Sequence, residues 1–323
     1  MKTLFYFLIA TFLILPQFTY ASNESLISEI AEKAMAAETD SLVILENGKV
    51  IYENYFGETD HIRNVQSITK SVTGLALGIL LDEGKLKSFD LPMSTWIPEW
   101  KNDLQKSKIT LRMMMNHTSG YPDTEVDEEF FKRDDLVSSA IPIALTAEPG
   151  SRFLYSNIGT TLLQTVVAQV SGQSVDSYAT EKIFKPLGIS EHFWKLDKAG
   201  HERIAGGLSL STAGLVQLGQ LMLANGTYQG QQIISAETLK ILLTKSQSYS
   251  NYGLLFWLEH AFGNKNPEAW QLFECVGYGG QFVITYPAKN LIIVRTKDPY
   301  KLVDEKLQQQ AFGELRDLAS KWQ

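Results

Sequence analysis

Two residues whose types suit acyl transfer stand three positions apart in the run Ser67-Ile68-Thr69-Lys70. On a helix, residues at this spacing share a face, so the hydroxyl and the amine can meet. The helix N-terminus adds positive potential and open backbone N–H groups near the serine. Serine becomes a good nucleophile when a base takes its proton, and lysine can be that base where burial or another cation lowers its pKa. The alternative is a capping serine beside a surface lysine.

A tyrosine and an amide follow in the triplet Tyr155-Ser156-Asn157, which comes after the turn Glu148-Pro149-Gly150 and before an apolar helix. A tyrosine on such a loop can point its phenol into a cleft. Close to a lysine cation, Tyr155 could accept or return a proton. Asn157 offers an amide that could fix a substrate or the lysine. The alternative is a helix-capping pair beside a buried tyrosine.

Glycines cluster in Gly277-Tyr278-Gly279-Gly280-Gln281, where an apolar strand begins. Glycines let a substrate backbone lie close against a strand edge. A backbone N–H in this stretch could complete an oxyanion hole with the N–H of Ser67. A β-bulge or tight turn would give the same composition.

The elements that must position these residues follow from hydrophobic periodicity and turn signals. Strands and helices are predicted near both chain ends, with helices between them. The predicted elements are a helix from Asn23 to about Glu38, strands over 41–46 and 49–55 joined by an Asn47-Gly48 hairpin turn, helices over 68–83 (closed by Gly84), 160–170 and 210–223, strands over 281–286 and 291–296, and a helix over 304–322. The economical arrangement is an α+β fold, with one antiparallel sheet built from both chain ends, flanking helices, and a helical lobe at about 67–205.

Charge and motif content exclude several classes of protein. The formal net charge of −7 argues against a nucleic-acid partner. No Gly-x-Ser-x-Gly elbow occurs, which argues against an α/β-hydrolase. The histidines show no metal-binding spacing, and no metal or organic cofactor is predicted. His117 is interpreted as tying a loop by hydrogen bonds, and Cys275 as a small buried strand residue. Trp96 and Trp100 are assigned to the core, and Trp257 to the core or the cleft wall.

Together these motifs resemble the serine β-lactamase and penicillin-binding superfamily, whose marks include Ser-x-x-Lys. The likeness is greatest to the class C β-lactamase-related branch of esterases, D-amino-acid peptidases and nylon-oligomer hydrolases, which pairs Ser-x-x-Lys with Tyr-x-Asn. Further stretches fit that branch, in order, between about residues 41 and 300: Ile109-Thr110-Leu111, His117-Thr118-Ser119-Gly120, Pro186-Leu187-Gly188, Gly206-Gly207-Leu208-Ser209, and Asn251-Tyr252-Gly253 with Trp257. The resemblance implies a β-lactamase/transpeptidase-like fold.

The predicted site combines both lines of argument. Ser67, Lys70 and Tyr155 are predicted to be catalytic. Asn157 and the glycine-rich stretch are predicted to bind substrate, and by analogy with the family the N–H of Tyr278 joins that of Ser67 in the oxyanion hole. The substrate-binding residues are Asn157, Gly277, Tyr278, Gly279 and Gln281.

One departure from the family concerns Cys275-Val276-Gly277, which stands where β-lactamases have Lys-Thr-Gly, or His-Thr-Gly in relatives. In the family those side chains hold a substrate carboxylate. Their loss favours an esterase or amide hydrolase over the alternatives of a β-lactamase, a D,D-peptidase or a D-aminopeptidase. An arginine from elsewhere, such as Arg112, Arg152 or Arg203, could restore carboxylate binding. An alternative of another class is a non-catalytic penicillin-binding-like sensor or scaffold.

The first residues predict export. Lys2 precedes the apolar run from Leu4 to Leu15, which is short for a spanning helix, and Thr19-Tyr20-Ala21 suits a signal peptidase. We therefore expect a signal peptide over 1–21, a hydrolase domain over 22–323, no stable membrane insertion after cleavage, and a periplasmic or secreted location. An uncleaved anchor is the alternative. The expected partner is a small ester, amide or peptide substrate; the oligomeric state does not follow from the sequence.

Overall fold

The computed structural model describes residues 20–57, 59–122, 127–246, 251–258, 272–301 and 304–322. The helices among these residues are α1 Tyr20–Ala36, α2 Ile68–Asp82, α3 Leu111–Met115, α4 Asp127–Phe130, α5 Leu136–Ala140, α6 Asn157–Thr161, α7 Leu163–Ser171, α8 Val175–Ala179, α9 Lys185–Leu187, α10 Thr212–Leu223, α11 Ala236–Leu242 and α12 Glu305–Ser320. The strands are β1 Ser41–Glu46, β2 Lys49–Asn54, β3 Arg63–Asn64, β4 Phe193–Trp194, β5 Leu208–Leu210, β6 Thr227–Tyr228, β7 Gln231–Gln232, β8 Phe273–Gly277, β9 Gln281–Tyr286 and β10 Leu291–Thr296.

The main sheet is built from both ends of the chain. Its five strands are antiparallel in the order β2-β1-β10-β9-β8, so β1 pairs with β10 near the other end of the sequence. Strands β3, β5 and β4 form a second small sheet, and β6 pairs with β7. The predicted α+β architecture, with one antiparallel sheet built from both chain ends, is confirmed.

Both faces of the main sheet are buried at β1, β8, β9 and β10, whereas the edge strand β2 is largely exposed, and alternate residues of a strand divide between the two faces. Leu42 and Ile44 of β1 and Ile284 of β9 lie on the face that packs against α1 and α12. There they share one hydrophobic cluster with Leu315 of α12. The opposite face belongs to the larger core, which reaches α2 and α10. Strand β8 is an edge of this sheet and contacts α2, so the sheet edge lies against the helix that carries Ser67 and Lys70.

The predicted element bounds agree closely with the observed ones. Asn47 and Gly48 both have positive φ, as a type I′ hairpin turn requires, and Gly84 follows α2 with a φ of 66°. Strands β9 and β10 have the predicted bounds, whereas the helix predicted over 160–170 is divided into α6 and α7 at Leu162. The helix predicted from residue 210 begins at Thr212, because Leu210 pairs in β5 and Ser211 caps α10.

Helices α2 to α9 fall between residues 67 and 205, the span predicted for a helical lobe. Helix α1 begins at Tyr20, three residues before the predicted Asn23. Residues 1–19, where most of the predicted signal peptide falls, lie outside the described residues. Among the residues that the structure describes, no helix is both long and apolar enough to span a membrane.

Candidate active site

Ser67 and Lys70 meet at the start of α2, as their spacing predicts. Ser67 is the half-buried N-cap residue of the helix, and its side chain makes no capping hydrogen bond. Lys70 is only 1% exposed. Its Nζ donates to Ser67 Oγ over 2.9 Å and to the carbonyl oxygen of Ala205 over 2.6 Å. The Nζ atom of Lys70 therefore lies between the serine and a separate loop.

The backbone just before Ser67 is held in an unusual conformation. Gln66 has a φ of 53°, in the left-handed region that a residue with a Cβ rarely adopts. Its N–H donates to Oδ1 of Asn64 over 2.8 Å, and Nδ2 of Asn64 donates to the carbonyl of Gly206 over 3.0 Å. Asn64 thus ties the turn before Ser67 to the loop that contacts Lys70, a role that the sequence did not reveal.

Tyr155 lies over Lys70 in an aromatic cluster. The Nζ of Lys70 is 4.9 Å from the centroid of the tyrosine ring, and the ring stacks on Trp257 at 5.8 Å with an interplanar angle of 20°. Ser156 caps α6 by accepting from the N–H of Gly159, so Asn157 is the first residue of that helix. Tyr155, Asn157 and Trp257 all border the cleft in front of Ser67.

His117 is buried behind the tyrosine and holds the loop that carries it. Its Nδ1 accepts a hydrogen bond from the N–H of Ser156 over 3.1 Å, and its carbonyl accepts one from Leu154. Burial, and secondarily the nearby charge of Lys70, keeps the pKa of His117 well below its ordinary value. The imidazole is therefore neutral near pH 7, and its predicted role in tying a loop is confirmed.

Strand β8 forms the second wall of the cleft, and its outer edge carries main-chain N–H and C=O groups. Cys275 and Gly277 pair with β9, while Glu274 exchanges hydrogen bonds with Trp257 on the outer edge. Because backbone groups alternate along an antiparallel strand, Val276 turns its N–H and C=O to the same outer edge as Glu274. Cys275 is a buried strand residue, as predicted, and burial raises the pKa of its thiol to about 12.

Gly277 is required by a close approach within the chain itself. A Cβ at this position would lie 2.3 Å from the carbonyl oxygen of Val65 and 3.1 Å from Cβ of Gln66. Strand β8 can therefore lie directly against the segment that leads into Ser67. Tyr278 follows, and within the described residues neither its N–H nor that of Ser67 donates to a protein acceptor.

The turn after β8 is fixed from behind. Arg295 is fully buried and donates to the carbonyls of Gly280 and Ala37, to Oγ1 of Thr39 and to Oε1 of Gln308. A Cβ on Gly280 would collide with this guanidinium. Arg295 was missed by sequence reasoning because a lone arginine in a strand gives no sign of what it will contact.

The remaining predicted site residues divide in role. Gly279 has a φ of 75° and forms the turn between β8 and β9. Gln281 borders the cleft, but its side chain is fully buried and makes two hydrogen bonds with the main chain of Lys297. The amide of Gln281 therefore holds the sheet and is already engaged. The side chain of Tyr278 points toward α12, where its hydroxyl donates to Glu305 over 2.6 Å.

The cleft between these walls has a volume of about 1030 Å³. Ser67 lines it, together with several aromatic side chains. The aromatic residues are Phe131, Tyr155, Trp257, Tyr278, Phe282, Tyr300 and Phe312. This volume is large enough for a drug-sized molecule and exceeds what a small acetyl or butyryl ester would fill.

Three potential metal ligands lie together away from Ser67, namely Asp135, Asp197 and His201. Both carboxylates are already engaged. Asp197 accepts from the backbone N–H groups of Leu136 and His201, and Asp135 caps α5. These contacts shape the loop that leads to Arg203.

Comparison with known proteins identifies the family. The family model described as "Beta-lactamase" matches residues 27–307. The chain belongs to the β-lactamase family. The predicted resemblance is thereby confirmed, and with it the prediction that the chain is an enzyme of the serine-hydrolase type.

The chain is also similar to named relatives and to solved structures, and the solved structures confirm the predicted β-lactamase/transpeptidase-like fold. An Escherichia coli O157:H7 protein named "Putative D-alanyl-D-alanine carboxypeptidase" is 25% identical, over 79% of this chain and 76% of the relative. The structure named "Putative 6-aminohexanoate-dimer hydrolase from Bacillus anthracis" has a TM-score of 0.76 at 23% identity, over 90% of this chain and 81% of that one. A penicillin-binding protein homologue from Pyrococcus abyssi has a TM-score of 0.70 at 22% identity, over 92% and 78%.

Proposed function

We propose that this β-lactamase-family chain is an exported serine hydrolase that cleaves an ester or amide through an acyl-enzyme on Ser67. The observation that carries the proposal is the 2.9 Å contact between Lys70 Nζ and Ser67 Oγ, with the ring of Tyr155 above the same amine. A nucleophile and a base within hydrogen-bond reach, oriented by a third group, is the arrangement that acyl transfer needs.

The proposed reaction has two halves. In the first, Ser67 Oγ attacks the substrate carbonyl while neutral Lys70 takes the hydroxyl proton. Tyr155 relays this proton to the leaving alcohol or amine, whose bond to the carbonyl carbon breaks. In the second half, water attacks the acyl-serine, its proton passes to the same base, and Ser67 leaves protonated with release of the acid. Asn157 orients the substrate at the start of α6.

Charge on the carbonyl oxygen is stabilised by two backbone N–H groups in this proposal. The N–H of Ser67 lies at the N-terminus of α2, where the helix dipole adds positive potential. The N–H of Tyr278 follows Gly277, which brings β8 close to Val65 and Gln66. Loss of one such donor costs about 10²- to 10³-fold in kcat in well-studied hydrolases.

The strand wall favours substrates other than β-lactams. Cys275 faces the core, and Val276 offers the cleft no cation and no hydroxyl. Short esters and amides make no demand for such groups, whereas a β-lactam or a D-Ala-D-Ala peptide brings a carboxylate to this strand. The alternative of a D,D-peptidase is supported by the name of the Escherichia coli relative. The alternative of a non-catalytic sensor lacks a comparable observation.

Acylation of Ser67 is the direct test. Intact-mass spectrometry after treatment with a fluorophosphonate should show a single adduct on the wild type and none on Ser67→Ala. The matched control is Ser138→Ala, which removes an exposed serine of α5 outside the cleft and should still be labelled. An adduct that persists in Ser67→Ala would refute the assignment of the nucleophile.

Export is tested separately. Protein recovered from the cell envelope should begin at Ser22 by N-terminal sequencing. A chain that still begins at Met1 and sediments with membranes would favour the uncleaved anchor.

A further inference from the structure

The cleft carries positive charge on a segment apart from β8. Within the described residues, Lys195 and Arg203 are the cations that border it, and Glu305 is the acid. Arg112 instead pairs with Asp90 through two hydrogen bonds, and Arg152 donates to the carbonyl of Thr146. Arg203 is therefore the arginine that can meet a substrate.

The backbone at Arg203 is held in a fixed position relative to Ser67 and Lys70. Its N–H donates to the carbonyl of Lys195, and its own carbonyl accepts from Gly206 and Gly207. A Cβ on Gly207 would lie 2.7 Å from that carbonyl oxygen, so this tight turn needs glycine there. The same turn contains Ala205, whose carbonyl binds Lys70. Arg203 is therefore two positions in the sequence before Ala205, whose carbonyl oxygen accepts a hydrogen bond from the proposed base, Lys70.

The side chain of Arg203 is held but not neutralised. One Nη donates to the carbonyl of Phe131 over 2.7 Å, and the guanidinium lies 5.1 Å from the centroid of the Phe131 ring. Across the described part of the chain it forms no ion pair within 4.0 Å, although Asp197 lies near enough to act on it. A half-buried guanidinium against an aromatic ring is shielded from water, which strengthens its attraction for an anion. Its remaining N–H groups suit a carboxylate.

We propose that Arg203, assisted by Lys195, is a carboxylate-binding subsite that selects esters or amides bearing a free acid group. This inference rests on the proposed function, because it concerns which substrates reach Ser67. The family resemblance implies a carboxylate site at residues 275–276, where this chain has Cys275 and Val276. The charge that a carboxylate needs is found here on residues 195–203 instead. The favoured acids therefore differ in shape from β-lactams.

The test compares acids with neutral partners of the same length. One pair carries the charge on the acyl side: mono-4-nitrophenyl glutarate and its methyl ester. The other carries it on the leaving group: 3-acetoxybenzoate and its methyl ester. In at least one pair the wild type should have the higher kcat/KM for the acid. Arg203→Gln should lower the acid-to-ester ratio of that pair roughly 10- to 100-fold, the usual effect of a charge-assisted hydrogen bond.

Controls separate charge recognition from folding. Arg203→Lys keeps the charge and should retain part of the ratio, and circular dichroism checks that both variants fold. Arg133→Gln removes an exposed arginine outside the cleft and should leave the ratio at the wild-type value. A ratio at or below one in both pairs, or a ratio that Arg203→Gln does not change, would overturn the inference.

A binding measurement keeps this inference distinguishable from the proposed function. Calorimetry on Ser67→Ala protein compares glutaric acid monoanilide with its methyl ester, so no turnover is required. Tighter binding of the acid that is lost in Ser67→Ala/Arg203→Gln supports the subsite even if Ser67 proves not to be acylated. Equal binding of acid and ester overturns the subsite even if Ser67 is acylated.

Discussion

The two walls of the cleft offer a substrate different kinds of group. The helical wall, made of Ser67, Lys70 and Tyr155 with the loop at 203–207, presents reactive side chains. The strand wall, residues 275–281, presents main-chain groups and the side chains of Val276 and Tyr278, none of which suits a base or a nucleophile near pH 7. Cys275 faces the core, and Gln281 is bound to Lys297. We therefore expect the helical wall to carry out the proposed chemistry, and the strand wall to contribute shape and hydrogen bonding.

The walls also differ in how they are placed. Ser67 and Lys70 lie on one helical turn, so α2 alone brings them together. Gly277 reaches the site by packing against Val65, which is 212 positions away in the sequence (277 − 65). Arg295 holds the following turn against residues 37 and 39. Damage to the helical wall should abolish chemistry, whereas damage to the strand wall should combine lost activity with lost stability.

Lys70→Ala gives the largest expected effect. The rate on a 4-nitrophenyl ester should fall by a factor on the order of 10² or more, the scale for loss of a general base. The wild-type rate should rise with pH along an ionisation limb, because the proposed base acts as the neutral amine. Steady-state kinetics from pH 5 to 9 measure both. Near-normal turnover by Lys70→Ala would refute the role of Lys70 as the general base. It would also contradict the assignment of the chemistry to the helical wall.

Gly277→Ala should damage the strand wall. The added Cβ would lie 2.3 Å from the Val65 carbonyl, so β8 must shift away from Ser67. Such overpacking costs about 1–3 kcal/mol of unfolding free energy. We also expect kcat to fall, because the Tyr278 N–H moves with the strand. The control is Gly313→Ala in α12, where the added Cβ would meet no atom within 4 Å beyond the adjacent helix backbone, so stability should hold or rise. A Gly277→Ala variant with unchanged stability and kcat would contradict this account.

Substrate choice sharpens the comparison at the strand wall. A neutral 4-nitrophenyl acyl ester should exceed a chromogenic cephalosporin and a D-Ala-D-Ala peptide in kcat/KM by at least about tenfold. The physical reason is that Cys275 and Val276 cannot give a carboxylate at this strand a charge-assisted hydrogen bond, which contributes ~1.5–3 kcal/mol, while Arg203 lies on a different segment of the cleft. If the cephalosporin or the peptide matches the ester, the β-lactamase or peptidase alternative is restored.

Glu274 gives the smallest expected effect on activity, because it acts on the dependence of stability on pH and takes no part in the proposed reaction. Burial raises the pKa of this β8 carboxyl to about 8, and Arg316 Nη1 lies 3.9 Å away. A raised folded pKa means that the native state keeps a proton that the unfolded state has lost. Unfolding free energy should therefore be greatest below about pH 4.5 for this group, and fall by at most ~1.4 kcal/mol per pH unit up to about pH 8.

Denaturant unfolding at several pH values measures this slope, with Glu274→Gln as the variant that lacks the titrating group. The wild type should lose stability relative to Glu274→Gln as pH rises from 5 to 8. Parallel curves for the two proteins would show that Glu274 does not titrate in this range and that Arg316 keeps it ionised.

The amino-acid sequence by itself determined the features that depend on neighbours in the chain. Asn47-Gly48 specified its hairpin turn, Gly84 the end of α2, and the apolar runs of β9 and β10 their bounds. The three-residue spacing of Ser67 and Lys70 placed hydroxyl and amine on one face, since helical geometry is local. The motifs were sufficient to predict the family and the fold.

Tertiary structure alone decided how the distant parts of the cleft meet. No pattern in the sequence indicated that Gly277 makes room for Val65, that Gln281 binds Lys297, or that Asn64 joins the turn before Ser67 to Gly206. It proposed three arginines for carboxylate binding, and only the fold distinguished Arg203, in the cleft, from Arg112 and Arg152. The physical reason is that side-chain contacts between remote segments depend on packing, and packing is fixed by the whole core rather than by the spacing of residues along the chain.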